Sequence, residues 1–200
     1  MPEFDKDLLS IQEARDLSTK AFEAWKIWSH ASQEQVDRVC AAMSAAALSA
    51  AERLGTMAHE ETGYGYSEHK KLKNEFAARN VWESIKDEKT VGVIHHDPVK
   101  RIYDIAWPVG VIAGLTPSTN PTSTVLYKIM IAVKARDAII IAPHPSAAKC
   151  SYEAAKIMAQ AAEANGAPPG LIACMQNISL QGTDRKSTRL NSSHRIRTRM

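Results

Sequence analysis

Cysteine is scarce in this chain, and long apolar runs are missing. Only three of the 200 residues are cysteine, and the spacing of Cys40, Cys150 and Cys174 fits neither a disulfide framework nor a zinc site. No segment approaches the roughly 18 consecutive apolar residues of a membrane-spanning helix. The polar start, Met-Pro-Glu-Phe-Asp-Lys-Asp, is unlike a secretory signal peptide. These features predict a cytoplasmic protein that binds neither a metal nor a membrane.

An excess of basic charge is also missing once residues 184–200 are set apart. This segment holds six of the 25 Lys and Arg residues and one of the 22 Asp and Glu residues. Residues 1–183 therefore hold 19 basic and 21 acidic residues, and their formal net charge is −2 rather than the +3 of the whole chain. The segment has no apolar periodicity and resembles translated sequencing-adapter or vector sequence. Its arginines lack interleaved aromatic residues, so we expect no nucleic-acid partner. We predict one folded unit over 1–183 and a non-native, disordered tail over 184–200.

The first part of the chain has the periodicity of helices. Apolar positions recur at helical spacing over Ile11–His30, Gln33–Ala58 is rich in alanine, and a third helix is predicted over Glu68–Ile85. Three tryptophans in these segments are expected to make core or helix contacts rather than to form ligand platforms: Trp25, Trp28 and Trp82.

A β-hairpin is predicted over Lys89–Trp107, because two β-rich runs flank the turn signal Asp97-Pro98. The neighbouring His95, His96 and Asp97 have the residue types of a metal cluster. However, adjacent side chains on a strand point to opposite faces, so a surface turn is the preferred interpretation.

The second half of the chain alternates strands with helices. Asn120-Pro121 and Ser146 are typical helix starts, and Gly166 stands where a C-cap glycine is expected. The predicted order is strand Val109–Leu115, helix Thr122–Arg136, strand Asp137–Ala142, helix Ser146–Asn165 and strand Leu171–Met175. This pattern predicts an α/β fold whose β-α-β-α-β unit is part of a Rossmann-like parallel sheet.

The loop Thr116–Asn120 follows the first of these strands. Ligands of open parallel sheets bind beyond the carboxyl ends of the strands, where helix N-termini direct N–H groups at anions. We therefore expect a ligand site at this loop. The three cysteines lie in helical or apolar strand patterns instead, and are expected to be small buried hydrophobic residues.

Several motifs, in this order and spacing, resemble those of the CoA-acylating aldehyde dehydrogenases, a branch of the aldehyde dehydrogenase superfamily. Upstream, Glu52-Arg53-Leu54 and Glu61-Thr62-Gly63 are similar to a helix and its end found early in the superfamily. The resemblance extends from Ala14 to about Gly182. Its main motifs are Trp-Pro-Val-Gly-Val-Ile at 107–112, Thr-Pro-Ser-Thr-Asn-Pro-Thr-Ser-Thr at 116–124 and Ala-Pro-His-Pro at 142–145.

This resemblance implies the amino-terminal fragment of an enzyme that oxidises a short aldehyde, with acetaldehyde as the default substrate and sulfoacetaldehyde as an alternative. A cysteine of such enzymes attacks the aldehyde, hydride passes to NAD or NADP, and the acyl group is released to coenzyme A. In the family that cysteine lies downstream of the matching region, so we expect the 200-residue chain to be inactive. The complete enzyme is expected to be a homo-oligomer in which strands like those of 89–107 form an arm between subunits.

Asn120 has two interpretations. As a helix N-cap it needs only its side-chain oxygen, which suits an Asn before Pro. As a catalytic residue, the role that the resemblance implies, its amide donates to the substrate oxygen that gains negative charge under thiolate attack. The common superfamily loop has Pro-Trp-Asn, whereas Pro117 and Asn120 are separated here by two residues.

The resemblance also implies a nicotinamide cofactor at the edge of the sheet. The cofactor-binding residues predicted from it are Thr116, Pro117, Ser118, Thr119 and His144. Non-acylating relatives usually carry Lys where this chain has Ala142 and Glu near Pro145, and those side chains hold the adenosine ribose. Their absence leaves the choice between NAD and NADP open.

Two other functional classes stay open at this point. The chain is compatible with a non-catalytic half-domain that binds a nucleotide or CoA. It is also compatible with a partner subunit that docks on an intact homologue through the Lys89–Trp107 hairpin.

Overall fold

Helices make up the first half of the computed structural model, which describes residues 5–179. A π-helical turn at Phe76–Asn80 joins the last two helices, so the helix predicted over 68–85 is present with one wider turn in its middle. The helices are α1 Lys6–Trp28, α2 Gln33–Ser49, α3 Ala51–Thr62, α4 Ser67–Glu75 and α5 Val81–Ile85. Within residues 5–179, none is long and apolar enough to cross a membrane.

The prediction of a single helix over Gln33–Ala58 is wrong. The segment forms α2 and α3, which meet at Ala50, and no glycine or proline marks the break. Each helix buries its own apolar face, with Val36 and Met43 inside on α2 and Leu54 on α3. Tertiary packing therefore bends the chain where the alanine-rich sequence alone favours a continuous helix. Helix α1 also begins earlier than predicted, because the Asp5 side chain accepts a hydrogen bond from the Asp7 N–H at 2.9 Å.

The predicted hairpin is confirmed. Strands β1 (Gly92–Asp97) and β2 (Ile102–Ala106) pair antiparallel, and the Asp97 carboxylate closes the turn by accepting from the N–H groups of Val99 and Lys100, both at 3.0 Å. The hairpin residues are largely exposed to solvent. The hairpin therefore contributes little to the core of this chain.

The predicted β-α-β-α-β unit is confirmed as a three-stranded parallel sheet in the order β3-β4-β5. Every residue of the central strand is buried, as expected for a parallel sheet covered on both faces. The elements are β3 Val111–Thr116, α6 Pro121–Lys134, β4 Ala138–Pro143, α7 Ala148–Ala164 and β5 Ile172–Cys174. The residue expected as a C-cap glycine, Gly166, adopts a positive φ of 101° just after α7.

The core lies between the sheet and the helices on its two faces. Helices α6 and α7 contact each other and the sheet, as expected for right-handed crossovers between parallel strands, and α1 contacts all three strands. Ile139, Ile140 and Ile141 are at most 1% exposed, and Trp28 is buried beside α6, with its indole N–H donating to the Val133 carbonyl at 3.2 Å. Trp25 and Trp82 pack against the same core, as predicted.

Candidate active site

The predicted ligand loop and His144 lie at the same edge of the sheet. Thr116 is paired with Pro143 in the parallel register, and the His144 N–H donates to the Thr116 carbonyl at 3.1 Å. Both loops thus leave the carboxyl ends of neighbouring strands, which is where open parallel sheets bind ligands. The structure therefore places Thr116 and His144 next to each other at this edge.

Thr116 has an unusual environment within this loop. Thr116 is only 6% exposed, and its hydroxyl has no hydrogen-bond partner among the described residues. A buried hydroxyl without a partner is energetically unfavourable unless another group binds it. Pro117 and Thr119 are exposed, and Ser118 is half-buried.

Asn120 is held differently from a helix cap. It precedes Pro121 at the start of α6, but its side chain makes no capping hydrogen bond. Its Oδ1 instead accepts from Nζ of Lys73 at 2.8 Å. The nitrogen end of the amide makes no hydrogen bond within the described part of the chain. The interpretation of the Asn120 side chain as a helix cap is therefore wrong: Asn120 stands at the N-cap position, but its side-chain oxygen accepts from a cation of α4 and not from an N–H of α6.

Helix α4 holds the start of α6 through one face, which we call the α4 clamp and define as Lys70, Lys73 and Asn74. The Lys70 ammonium donates to the Thr119 carbonyl at 3.1 Å. Asn74, fully buried, accepts from the Thr122 hydroxyl at 2.8 Å. Burial lowers the pKa of Lys70, with Cys150 and Lys73 as smaller influences.

The clamp residues are functional candidates that sequence reasoning missed. They stand at positions i, i+3 and i+4, the spacing of one helix face. In a helix that reads Ser-Glu-His-Lys-Lys-Leu-Lys-Asn-Glu, this spacing looks like an ordinary solvated surface. The sequence near α4 does not distinguish a contact face from a solvated surface, because the hydrogen-bond partners of Lys70 and Lys73 in the loop before α6 lie 49 and 47 residues away along the chain.

An apolar groove of about 390 Å³ opens between α4, the π-helical turn and α6. Lys73 lines this groove, and its ammonium also donates a hydrogen bond to Asn120, so Lys73 connects the groove with the start of α6. Phe76 is 62% exposed and belongs to the π-helical turn, a feature that is frequent at functional sites. The groove is also lined by Leu72, Ala77, Val81, Ser123 and Tyr127. Such a lining suits an uncharged carbon chain rather than a polar ligand.

The turn after β4 differs from its prediction, because Ser146 does not cap the long helix. A short 3-10 turn over Pro145–Ala147 precedes α7. The ring Nδ1 of His144 accepts from the Ser146 N–H at 3.2 Å and lies 2.8 Å from its hydroxyl. The exposed His144 ring thus uses one nitrogen locally and leaves Nε2 for a ligand.

Glu61 supplies the cap that Ser146 does not. Its carboxylate accepts from the N–H groups of Lys149 at 2.9 Å and Cys150 at 2.7 Å, in the first turn of α7. This gives a physical role to the first residue of the Glu-Thr-Gly motif at the end of α3. A resident carboxylate fills the anion site of α7, so a phosphate group is not expected there.

The three cysteines are buried, as predicted. Burial raises the pKa of the Cys40 thiol to about 12. The pKa of Cys150 is likewise raised to about 12 by burial, with Glu61 adding to the shift. Thiols with such pKa values are protonated at neutral pH and are poor nucleophiles.

Comparison with known proteins shows which family the chain matches. The aldehyde dehydrogenase family profile matches residues 7–188. The bifunctional aldehyde-alcohol dehydrogenase AdhE of Escherichia coli (strain K12) is 40% identical over 172 residues, which are 86% of this chain and 19% of that protein.

Two crystal structures share the fold. An acetylating aldehyde dehydrogenase from Geobacillus thermoglucosidasius has a TM-score of 0.90 and 52% identity, over 92% of this chain and 41% of that one. A propionaldehyde dehydrogenase from Rhodopseudomonas palustris, with bound CoA and an acylated cysteine, has a TM-score of 0.71 and 26% identity, over 86% of this chain and 39% of that one. The chain thus spans between about a fifth and two fifths of the length of these relatives. With the family profile matched along nearly all of the described residues, the chain belongs to the aldehyde dehydrogenase family.

Proposed function

We propose that this chain contributes the carbonyl-oxygen site and one wall of the aldehyde groove to a CoA-acylating aldehyde dehydrogenase. The complete protein would convert a short aldehyde and CoA to acyl-CoA with reduction of NAD or NADP. One observation carries the proposal: the Asn120 amide lies in the loop after the carboxyl end of β3, and its oxygen accepts from Lys73, a residue that also lines an apolar groove. An amide donor so placed suits an oxygen that becomes negative during attack on an aldehyde.

The groove supports an aldehyde with a short carbon chain. Its apolar lining would contact the carbon chain of the substrate, and Lys73, which lines the groove, also donates to the Asn120 amide. Acetaldehyde remains the default substrate. The anionic group of sulfoacetaldehyde would need a basic partner, and Lys73 is the cation that lines the groove.

The cofactor proposal rests on the edge of the sheet. NAD or NADP would supply the hydride acceptor, and Thr116, Ser118, Thr119 and His144 would hold it. The unpartnered, buried Thr116 hydroxyl fits a ligand at this edge. Because Glu61 occupies the N-terminus of α7, the cofactor phosphates would bind elsewhere. Pro117 shapes the loop, since it has no N–H to donate.

The nucleophilic cysteine of this proposal lies outside residues 5–179, because all three cysteines within that range are buried. We propose that the 200-residue chain is therefore inactive. In the complete protein, the exposed β1–β2 hairpin would serve as an arm in a homo-oligomer.

The buried thiols give a testable prediction. We expect iodoacetamide to label none of the three cysteines in the native chain at pH 8, because a rise in pKa from 9.0 to about 12 lowers the thiolate fraction of Cys40 and Cys150 about a thousandfold. Intact-mass spectrometry would show full labelling only after denaturation. Rapid labelling of one native cysteine would instead identify a nucleophile within the chain.

An activity comparison tests the function itself. We expect a longer form that continues through the cysteine-containing region to produce NADH or NADPH from acetaldehyde, and only when CoA is present. The 200-residue chain is expected to give no signal above a blank in the same assay. Binding of NAD or CoA by the longer form without turnover would favour the non-catalytic alternative, and CoA-independent oxidation would contradict the acylating assignment.

A further inference from the structure

The contact between Lys73 and Asn120 fixes the direction of the Asn120 amide. The Lys73 ammonium has three donors and no acceptor, so only the amide oxygen can face it at 2.8 Å. The NH₂ group of the amide must then point away from Lys73. Without the lysine, the two ends of the amide would be nearly equivalent in size and free to exchange places.

We propose that Lys73 is a positioning residue that keeps the Asn120 NH₂ group directed at the aldehyde oxygen and strengthens it as a donor. This inference rests on the proposed function, because it concerns the same carbonyl-oxygen site. A hydrogen bond from a cation withdraws charge from the amide oxygen, and chains of hydrogen bonds polarise one another. A reversed amide would present its oxygen to the developing negative charge and repel it.

The neighbouring contacts argue against a purely structural role for Lys73. Lys70 already ties α4 to the Thr119 carbonyl, and Asn74 already ties it to the Thr122 hydroxyl and to the Ala51 carbonyl. Both of those residues are buried, whereas Lys73 is exposed. The loop is therefore held without Lys73, and an exposed lysine adds little to stability.

Lys71 provides a matched control on the same helix. It is a surface lysine that pairs with Glu52 at 2.8 Å and lies on another side of α4. In the longer, cysteine-containing form, Lys73→Met is expected to lower kcat roughly tenfold and leave the KM for CoA unchanged. Lys71→Met is expected to change neither value. Lys73→Arg, which keeps donors without an acceptor, should restore part of the lost kcat.

A double-mutant cycle with Asn120→Ala shows whether Lys73 acts through the amide. If it does, adding Lys73→Met to Asn120→Ala causes no further loss of kcat. If the losses of kcat from the two substitutions multiply instead, the role of Lys73 is overturned. It is also overturned if Lys73→Met leaves kcat unchanged while Asn120→Ala lowers it strongly. In both cases the proposed function stands. If Asn120→Ala itself has no effect, the carbonyl-oxygen site of the proposed function fails.

A measurement without turnover supplements the kinetics. In the ¹⁵N-labelled 200-residue chain, the side-chain NH₂ signals of Asn120 are expected to shift with Lys73→Met and to stay in place with Lys71→Met. Backbone signals of α6 should remain unchanged in both variants. Unmoved NH₂ signals in Lys73→Met would contradict the inference, because the amide would then not depend on the lysine.

Discussion

Asn120→Ala is expected to lower kcat of the longer, cysteine-containing form by roughly 100- to 1,000-fold, the usual effect of removing one donor to a developing oxyanion. The structure lets this effect be separated from folding, because the Asn120 side chain makes no capping hydrogen bond to α6. The free energy of unfolding should therefore change by no more than ~0.5 kcal/mol. Steady-state kinetics and urea denaturation of the same samples would measure both quantities.

Two further variants sharpen this test. Asn120→Asp removes the donor and places a negative charge beside Lys73, so it is expected to be as inactive as the alanine variant. Asn80→Ala is the control, because Asn80 is an exposed asparagine whose side chain makes no capping hydrogen bond. A folded and fully active Asp variant would remove Asn120 from the catalytic residues.

Gly55→Val is expected to destabilise the chain by about 2 to 3 kcal/mol, because α3 and α4 meet closely at this glycine. A Cβ at position 55 would lie 2.8 Å from the backbone nitrogen of Lys71 and 3.0 Å from the Ser67 carbonyl oxygen. Since backbone atoms cannot rotate away, α4 must move. We expect the shift of α4 to displace the α4 clamp and lower kcat in the longer form.

Thr56→Val is the matched control, because it places the same side chain at the next, solvent-exposed position. Its effect should stay within ~0.5 kcal/mol. Gly55→Ala is expected to lie between the two, since alanine regains up to ~1 kcal/mol of helix propensity over glycine. Circular dichroism during urea denaturation would rank the variants. A Gly55→Val chain as stable as Thr56→Val would show that α3 and α4 can separate without cost.

The starts of α6 and α7 show why local sequence patterns predict where a helix begins better than they predict which residues contact it. Asn120-Pro121 and Ser146 correctly indicated that helices begin nearby. The groups that form hydrogen bonds at these helix starts come from distant parts of the chain: the Lys73 ammonium donates to the Asn120 side chain, and the Glu61 carboxylate caps α7. A capping preference describes a residue and its neighbours, so it contains no information about a carboxylate 88 residues away.

The positions of the strands, the parallel sheet and the loop Thr116–Asn120 could be derived from residue order alone. Apolar runs, proline and glycine act over a few positions, and these short-range preferences agree with the order of strands and helices in the second half. The break at Ala50, the groove beside Phe76, the direction of the Asn120 amide and the α4 clamp could not. Each depends on which surfaces of separate helices meet, and that is settled by packing between residues far apart in the chain.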